Sequence, residues 1–324
     1  MKAAILEQLG ASPKYKDFPT PEPKSDDEII LEVKAAAVKN LDKLRASGTH
    51  YASYTSLPVV VGMDGVGVLN DGTRVYAQGL TGMLAEKALI NREQYTLIPD
   101  HLDNYTAAAL PNAVLGSAMA LKIRGKMKPG QNVLINGATG VTGLLAVQIA
   151  KYYGANKVFT TGRNEGSLQK TIALGADQTV SLKQNDEAII EQLKNLHKAH
   201  PIDLVIDYVW GKPIELIISA LKGGGLHNFT HKTRIVTVGS MAGETINLSS
   251  GVLRSSAIEI LGSGFGSLSQ KDLKMLSQDI LPELFQLAAD GKLQMELVVE
   301  SIKDIESLWT KKIATGKRLV IAIE

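Results

Sequence analysis

Apolar and polar positions change rhythm along the chain, and the change divides it. Between residues 28 and 98, short apolar or alternating runs are broken by Gly and Pro, so Glu28–Ala35, Gly65–Leu69, Thr73–Tyr76, Met83–Ile90 and Tyr95–Ile98 are expected as strands of a β-rich domain. From Asn104 the texture becomes helical. An Ala-rich stretch runs to Lys122, Lys128–Gly130 makes a turn, and strands then alternate with helices. Val133–Ala150 reads as a buried strand, a glycine turn and an apolar helix in direct succession, followed by a β-branched strand at Lys157–Thr161. Helices are expected over Asn164–Leu174 and Glu187–Lys198, and strands over Leu204–Asp207, Ile235–Val238 and Ala257–Leu261. Such alternation predicts an α/β fold with a parallel, doubly wound sheet covered by helices on both faces. Beyond Ser267 the pattern gives a long helix to about Asp290, a short strand, a helix over Ile305–Ala314 and a terminal strand, Arg318–Ile323, suited to pair with the first domain.

The glycine turn carries the most chemistry. A strand-to-helix turn leaves backbone N–H groups unpaired at the helix N-terminus, where the dipole favours a pyrophosphate, and glycines let that group approach. Ala138, Thr139, Gly140, Val141 and Thr142 are therefore candidate dinucleotide contacts, with Gly143 next along the helix. Ligand-free packing of a helix on a strand through small residues is the alternative. The following strand selects the dinucleotide. An NAD site places an acid near its end, and an NADP site a cation for the 2′-phosphate. Here Gly162 and Arg163 close the strand without an acid, and the guanidinium offers a fork of donors to a phosphate. A solvated turn arginine is the competing reading. Glu165 suits the first turn of the next helix better than the ribose.

Composition narrows the class. A chain of 324 residues with 44% hydrophobic content is long enough for two cores, and a net charge of +2 does not suggest a nucleic-acid partner. Met1–Glu7 is too short an apolar stretch for a signal peptide, and no run is expected to span a membrane, so a soluble cytoplasmic protein is anticipated. The absence of cysteine removes disulfides and thiolate metal sites and fits a reducing compartment.

Several stretches, in order, resemble the medium-chain dehydrogenase/reductases, and within them the zinc-free quinone oxidoreductase-like branch. Asn40–Tyr51 is similar to its N-x-D-x-x-x-R-x-G-x-Y stretch and Leu57–Gly67 to its P-x-x-x-G-x-[DE]-x-x-G element. Gly82–Glu86 resembles its G-x-x-A-E strand, Leu110–Pro111 its turn before the linking helix, Met127–Leu134 its entry to the nucleotide domain, and Gly316–Val320 its closing strand. The resemblance covers nearly the whole chain. It implies a GroES-like β-rich catalytic domain, residues 1–112 with 268–324, and an inserted NADP-binding Rossmann domain, residues 113–267, with the active cleft between them. Zinc members of this superfamily use a Cys, a His-Glu pair and a second Cys. By resemblance Asn40 falls at the Cys position and Met63–Asp64 at the His-Glu pair, so no metal is expected.

Further implications are NADPH as cofactor and a quinone, or alternatively an enone or enoyl group, as hydride acceptor. A non-catalytic NADPH-binding sensor is a third reading. Asn40 would donate an amide N–H near the nicotinamide or acceptor oxygen, and Tyr51 would donate its phenol or stack on the acceptor. Asn40 as a simple cap of a helix starting at Leu41, and Tyr51 as a loop aromatic beside His50 and Tyr54, are the plainer readings. Gly239–Gly243 follows a buried strand at its carboxyl end, so Gly239 and Ser240 are expected to border the nicotinamide half. Phe265 is a candidate wall of the cleft, and Lys317 a cofactor contact or an exposed lysine. Ser167 and Leu182 stand where relatives often carry a Lys and a Tyr for the 2′-phosphate, which leaves more of that task to Arg163. His227 and His231 are spaced as a helical metal pair but lie in a loop. Ala257–Leu261 should form a sheet edge that a homodimer would cover.

Overall fold

The strand Glu28–Val38, eleven residues long, organises the first part of the structure. The computed structural model describes residues 1–223 and 229–324, and of Phe265 the backbone alone. The chain divides into two compact units, Met1–Asn112 with Ser277–Glu324, and Ala113–Leu276.

In the first unit Glu28–Val38 pairs antiparallel with Asp64–Val68, Lys87–Leu97 and Lys317–Ala322. Arg74–Gly79 joins Asp64–Val68 to Lys87–Leu97, so these strands close on one another and leave little free edge. Lys317–Ala322 is the C-terminal strand expected to pair with this part of the chain, and Glu296–Ser301 adds to it in parallel. Val33, Val75, Ile90, Leu308, Leu319 and Ile321 are among the residues of the buried core.

The two strands expected at Met83–Ile90 and Tyr95–Ile98 are one strand, Lys87–Leu97. Its first half pairs with Glu28–Glu32 and its last residues with Val75–Ala77, so the backbone stays in the ladder across the exposed polar residues Arg92, Glu93 and Gln94. Lys2–Leu6, Lys14–Asp17 and Val59–Val60 form a separate small sheet that no clear alternation announces. The long C-terminal helix begins at Gln270, capped by Ser269, and passes through a π turn at Leu276–Ile280 before Leu281–Ala289. Pro282, which has no N–H to give the ladder, stands just after that turn. The final helix is shorter than expected, Ile305–Thr310.

The second unit contains a six-stranded parallel sheet in the order Gln178–Ser181, Lys157–Gly162, Asn132–Asn136, Leu204–Asp207, Thr233–Thr237, Ile258–Gly262. The first three run outward against sequence order and the last three with it. The order therefore reverses beside Asn132–Asn136, the switch point at which doubly wound sheets bind ligands. Ile258–Gly262 is an outer edge, as anticipated, one residue later than its sequence pattern suggested. One expectation needs correcting. The helix Asn104–Ala118 and its π continuation to Arg124 are long and apolar enough to cross a membrane, but 67% of that apolar window is buried within the protein, as in a core helix.

Candidate active site

The strand Asn132–Asn136 is buried at every residue, and the helix Val141–Tyr152 starts five residues after it ends. Ala138 N–H and Gly137 N–H both donate to the Thr161 carbonyl, at 2.9 and 3.2 Å, which pins the turn to the neighbouring strand. The N-cap of the helix is Gly140, with no side-chain cap. Its first-turn N–H groups are therefore left to a ligand or solvent. The next two helices differ: Asn164 caps Glu165–Ala173 by accepting from Ser167 N–H, and Asn185 caps Asp186–Ala199 by accepting from Ala188 N–H.

The two glycines of this turn are glycines for different reasons. A Cβ on Gly143 would lie 2.5 Å from the Ala138 Cα, so the fold itself demands its absence. A Cβ on Gly140 would meet nothing, and its φ of −84° suits any residue. No internal packing requires glycine at 140, and a group docked on the helix N-terminus would. This is a cradle that fits a dinucleotide pyrophosphate.

Gly162 ends the adjacent strand, and a Cβ there would sit 2.3 Å from Thr139 Cγ2, so Thr139 and Gly162 are brought together. Arg163 follows, exposed and, among the described residues, without a hydrogen-bond or ion-pair partner. Glu165 stands in the first turn of the next helix, as expected. Ser167 is buried, with its N–H on Asn164, and Leu182 is half-buried, with its N–H on the Gly162 carbonyl.

Across the switch point the buried carboxylate of Asp207 accepts from the Asn136 amide at 2.8 Å and from the N–H groups of Val209 and Trp210 at 3.1 Å. Burial raises its carboxyl pKa, and these donors oppose the rise. They hold Trp210 at φ 52°, a left-handed conformation that costs a non-glycine residue about 1–3 kcal/mol. Gly239 packs against the Tyr208 backbone, and Ser240 hydrogen-bonds Glu244 at 2.6 Å. Tyr208, whose hydroxyl pairs with Ser117 at 2.8 Å, and Asp207 have no local motif that marks them. Phe265 opens a short 3-10 turn, and its expected role as a wall concerns a side chain outside the described residues. His227 also lies outside them. His231 pairs with Asp203 at 2.9 Å rather than with a metal partner.

In the first unit the helix Asn40–Ser47 begins one residue earlier than expected, so Lys39 is the cap and Asn40, expected as an N-cap in the plainer reading, is the first helical residue, exposed. Tyr51 is 95% exposed with its ring 4.1 Å from that of His50, and within this unit it lines no enclosed pocket. Lys317 makes an ion pair with Glu296 at 3.2 Å.

Behind Asn40 lies a group that the sequence did not single out. Lys39, 3% exposed, donates from Nζ to the Ala37 carbonyl at 2.9 Å, to Asp42 at 3.1 Å and to Asp64. Asp42 also accepts from the N–H groups of Lys39 and Met63, at 2.9 and 3.1 Å. Asp64 takes the Tyr76 hydroxyl at 2.8 Å. Burial works against the ammonium, but the two carboxylates outweigh it and the Lys39 pKa is raised. Burial, reinforced by Asp64, pushes the Tyr76 phenol well up.

The donor set does not fit catalytic zinc, which takes thiolate, imidazole or carboxylate ligands. The chain has no cysteine, Met63 offers a thioether, and the nearby carboxylates are taken by Lys39 and Tyr76. Among the described residues no group of three or more His, Cys, Asp or Glu is arranged to hold a metal.

A family model for zinc-binding dehydrogenases matches residues 141–281, a span that holds five of the six parallel strands but neither the central strand Asn132–Asn136 nor the Lys39 group. A probable NADPH-dependent quinone reductase of Emericella nidulans is 28% identical over 99% of each chain. A chloroplastic NADPH-dependent alkenal/one oxidoreductase of Arabidopsis thaliana is 33% identical over 58% of this chain and 54% of its own. Among solved structures, a quinone oxidoreductase of Thermus thermophilus, studied also in complex with NADPH, matches with a TM-score of 0.77 and 26% identity over 100% of both chains. The strand order, the glycine turn and these likenesses together make the chain similar to the medium-chain dehydrogenase/reductases of the quinone oxidoreductase-like branch.

Proposed function

We propose that this protein is an NADPH-dependent reductase that works without zinc and delivers a hydride to a small electron-poor acceptor, a quinone in the first place. The observation that carries this reading is Gly140, a glycine that packing does not need at an uncapped helix N-terminus beside the switch point. Relatives named as NADPH-dependent reductases support it. Residues 113–276 hold the nucleotide, and residues 1–112 with 277–324 hold the acceptor.

Bound NADPH supplies the hydride, and the chain's own residues bind, orient and stabilise. Backbone N–H groups from Thr139 to Thr142 hold the pyrophosphate, while Ala138, whose own N–H is taken by the Thr161 carbonyl, anchors the turn; Gly162 keeps the adjacent strand end close, and Arg163 takes the 2′-phosphate. The loops at Asp207–Trp210 and Gly239–Ser240 border the nicotinamide end. Asn40, whose amide is exposed, donates to the acceptor oxygen as negative charge develops there, and Tyr51 covers the acceptor face. An enone acceptor is the second reading, favoured by the alkenal/one relative. The edge strand Ile258–Gly262, partly exposed along its length, supports a homodimer.

The test is a panel of quinones and enones with NADPH oxidation followed at saturation. Turnover of quinones supports the first reading, and turnover of enones alone moves the assignment to the second. Tight NADPH binding with no turnover of either class refutes the enzyme and leaves a nucleotide-binding sensor.

A further inference from the structure

The buried charge group at Lys39 is unusual in its completeness. All three ammonium donors are used, on the Ala37 carbonyl, Asp42 and Asp64. Asp42 in turn holds two backbone N–H groups, those of Lys39 and Met63, which belong to segments distant in sequence. One of these segments starts the helix at Asn40, and the other leads into the strand Asp64–Val68. A second cation belongs to the same field. Arg318, whose Nε is buried without a hydrogen-bond partner, is attracted by Asp64 and Asp42. Two cations face two anions, so the group is neutral as a whole, but removing any one member leaves a buried charge.

A lysine is an expensive choice for such a place. Burying an ammonium carries a desolvation cost that a hydrocarbon of the same volume avoids, and replacing buried ion pairs by apolar side chains is often neutral or stabilising. What the lysine provides is direction, because its donors and those of Asp42 fix where residues 39–42 and 63–64 stand relative to each other. These are the positions at which, by resemblance, zinc members carry a Cys and a His-Glu pair; here their mutual placement is set by an internal cation.

We propose that Lys39 is a positioning residue for the reduction: through Asp42 and Asp64 its ammonium holds Asn40 at the helix start and the Met63–Asp64 backbone in the geometry that the acceptor meets. This inference rests on the reading of Asn40 as an acceptor contact, and it deepens that reading.

The test compares wild type with Lys39→Met, with Lys39→Arg and with the charge-balanced pair Lys39→Met/Asp64→Asn. Each is examined for melting temperature, for hydrogen exchange of the nucleotide-free protein over residues 38–43 and 62–65, for NADPH affinity, and for kcat and KM with the best acceptor. Lys39→Met is expected to lower the melting temperature and speed exchange in both segments. The balanced pair, with no unpaired charge left behind, is expected to regain most of the melting temperature yet keep the faster exchange. Its kcat should stay down about 10- to 100-fold with NADPH affinity unchanged, as misplacement of a reacting contact would give. Lys39→Arg, which keeps the charge but not the three-way geometry, should fall between wild type and Lys39→Met in exchange. If the balanced pair recovers wild-type exchange and wild-type kcat along with its stability, the network is only structural and the proposal is overturned. Failure of the functional reading looks different: wild type itself then turns over no acceptor, while exchange in the variants still decides whether Lys39 orders these segments.

Discussion

The glycine turn at Gly140 and the charge group at Lys39 are built on opposite principles. The turn leaves the first N–H groups of its helix uncapped and its space open, at a glycine that no neighbour requires. The charge group satisfies all three ammonium donors internally and is closed to solvent. A site that awaits a ligand is recognisable by what it lacks, and a site that orients other residues by how fully it is paired.

The largest effect that can break this contrast is on stability. Lys39→Met strands Asp42 and Asp64 against Arg318 and should destabilise the fold by about 3–5 kcal/mol, read by denaturant unfolding. A loss near zero would mean that the group is wetter and looser than its burial indicates. Arg163→Ala comes next and acts on binding alone. Arg163 is exposed and, among the described residues, has no partner, so its removal should leave stability unchanged. It should cost NADPH about 1.5–3 kcal/mol, or roughly ten- to a hundredfold in affinity, with NADH nearly unaffected. Equal loss for both nucleotides in a calorimetric titration would remove Arg163 from the 2′-phosphate.

The contrast also explains what could be read from the sequence. The turn is local. Its strand, glycines and helix lie within Val133–Ala150 and carry their periodicity with them, as do the parallel strands around it. The charge group is assembled from residues 39, 42, 64, 76 and 318, and only the pair at 39 and 42 is close in sequence. A single lysine after the apolar run Ala35–Val38 was the available signal, and it reads equally well as the polar end of a strand. The strand Lys87–Leu97 escaped for a related reason. Its middle residues are polar and exposed, and only pairing with two partners shows that the backbone continues. Asp207 is short of local signal too, since it sits at a strand end like many acids and its three partners come from folding.

A smaller effect sharpens the comparison within the nucleotide unit, where a paired charge serves only the scaffold. Asp177 is buried enough to raise its carboxyl pKa, yet hydrogen bonds from Lys151, the Val158 N–H and Lys157 overcome this and hold it at about 2. A lowered carboxyl pKa contributes stability that is present above the unfolded value of 3.8 and is lost as pH falls towards about 2. Asp177→Asn should therefore flatten acid unfolding across that window and cost at most about 2 kcal/mol at neutral pH. Nucleotide affinity at neutral pH should be unchanged. The smallest expected effect is none. Prolonged chelation should leave acceptor reduction unaltered, and a chelator-sensitive rate restored by zinc would contradict the reading of Met63 and Lys39.

The central claim is that Gly140 is kept free for a dinucleotide and Gly143 for packing. It is tested most directly by titrating NADPH into Gly140→Ala while its melting is compared with that of Gly143→Ala. Gly140→Ala, whose new methyl meets no protein atom, should melt within about 1 kcal/mol of wild type and bind NADPH about tenfold or more weakly. Gly143→Ala, whose methyl would lie 2.5 Å from the Ala138 Cα, should lose stability itself. NADPH affinity in Gly140→Ala equal to that of wild type would contradict the account.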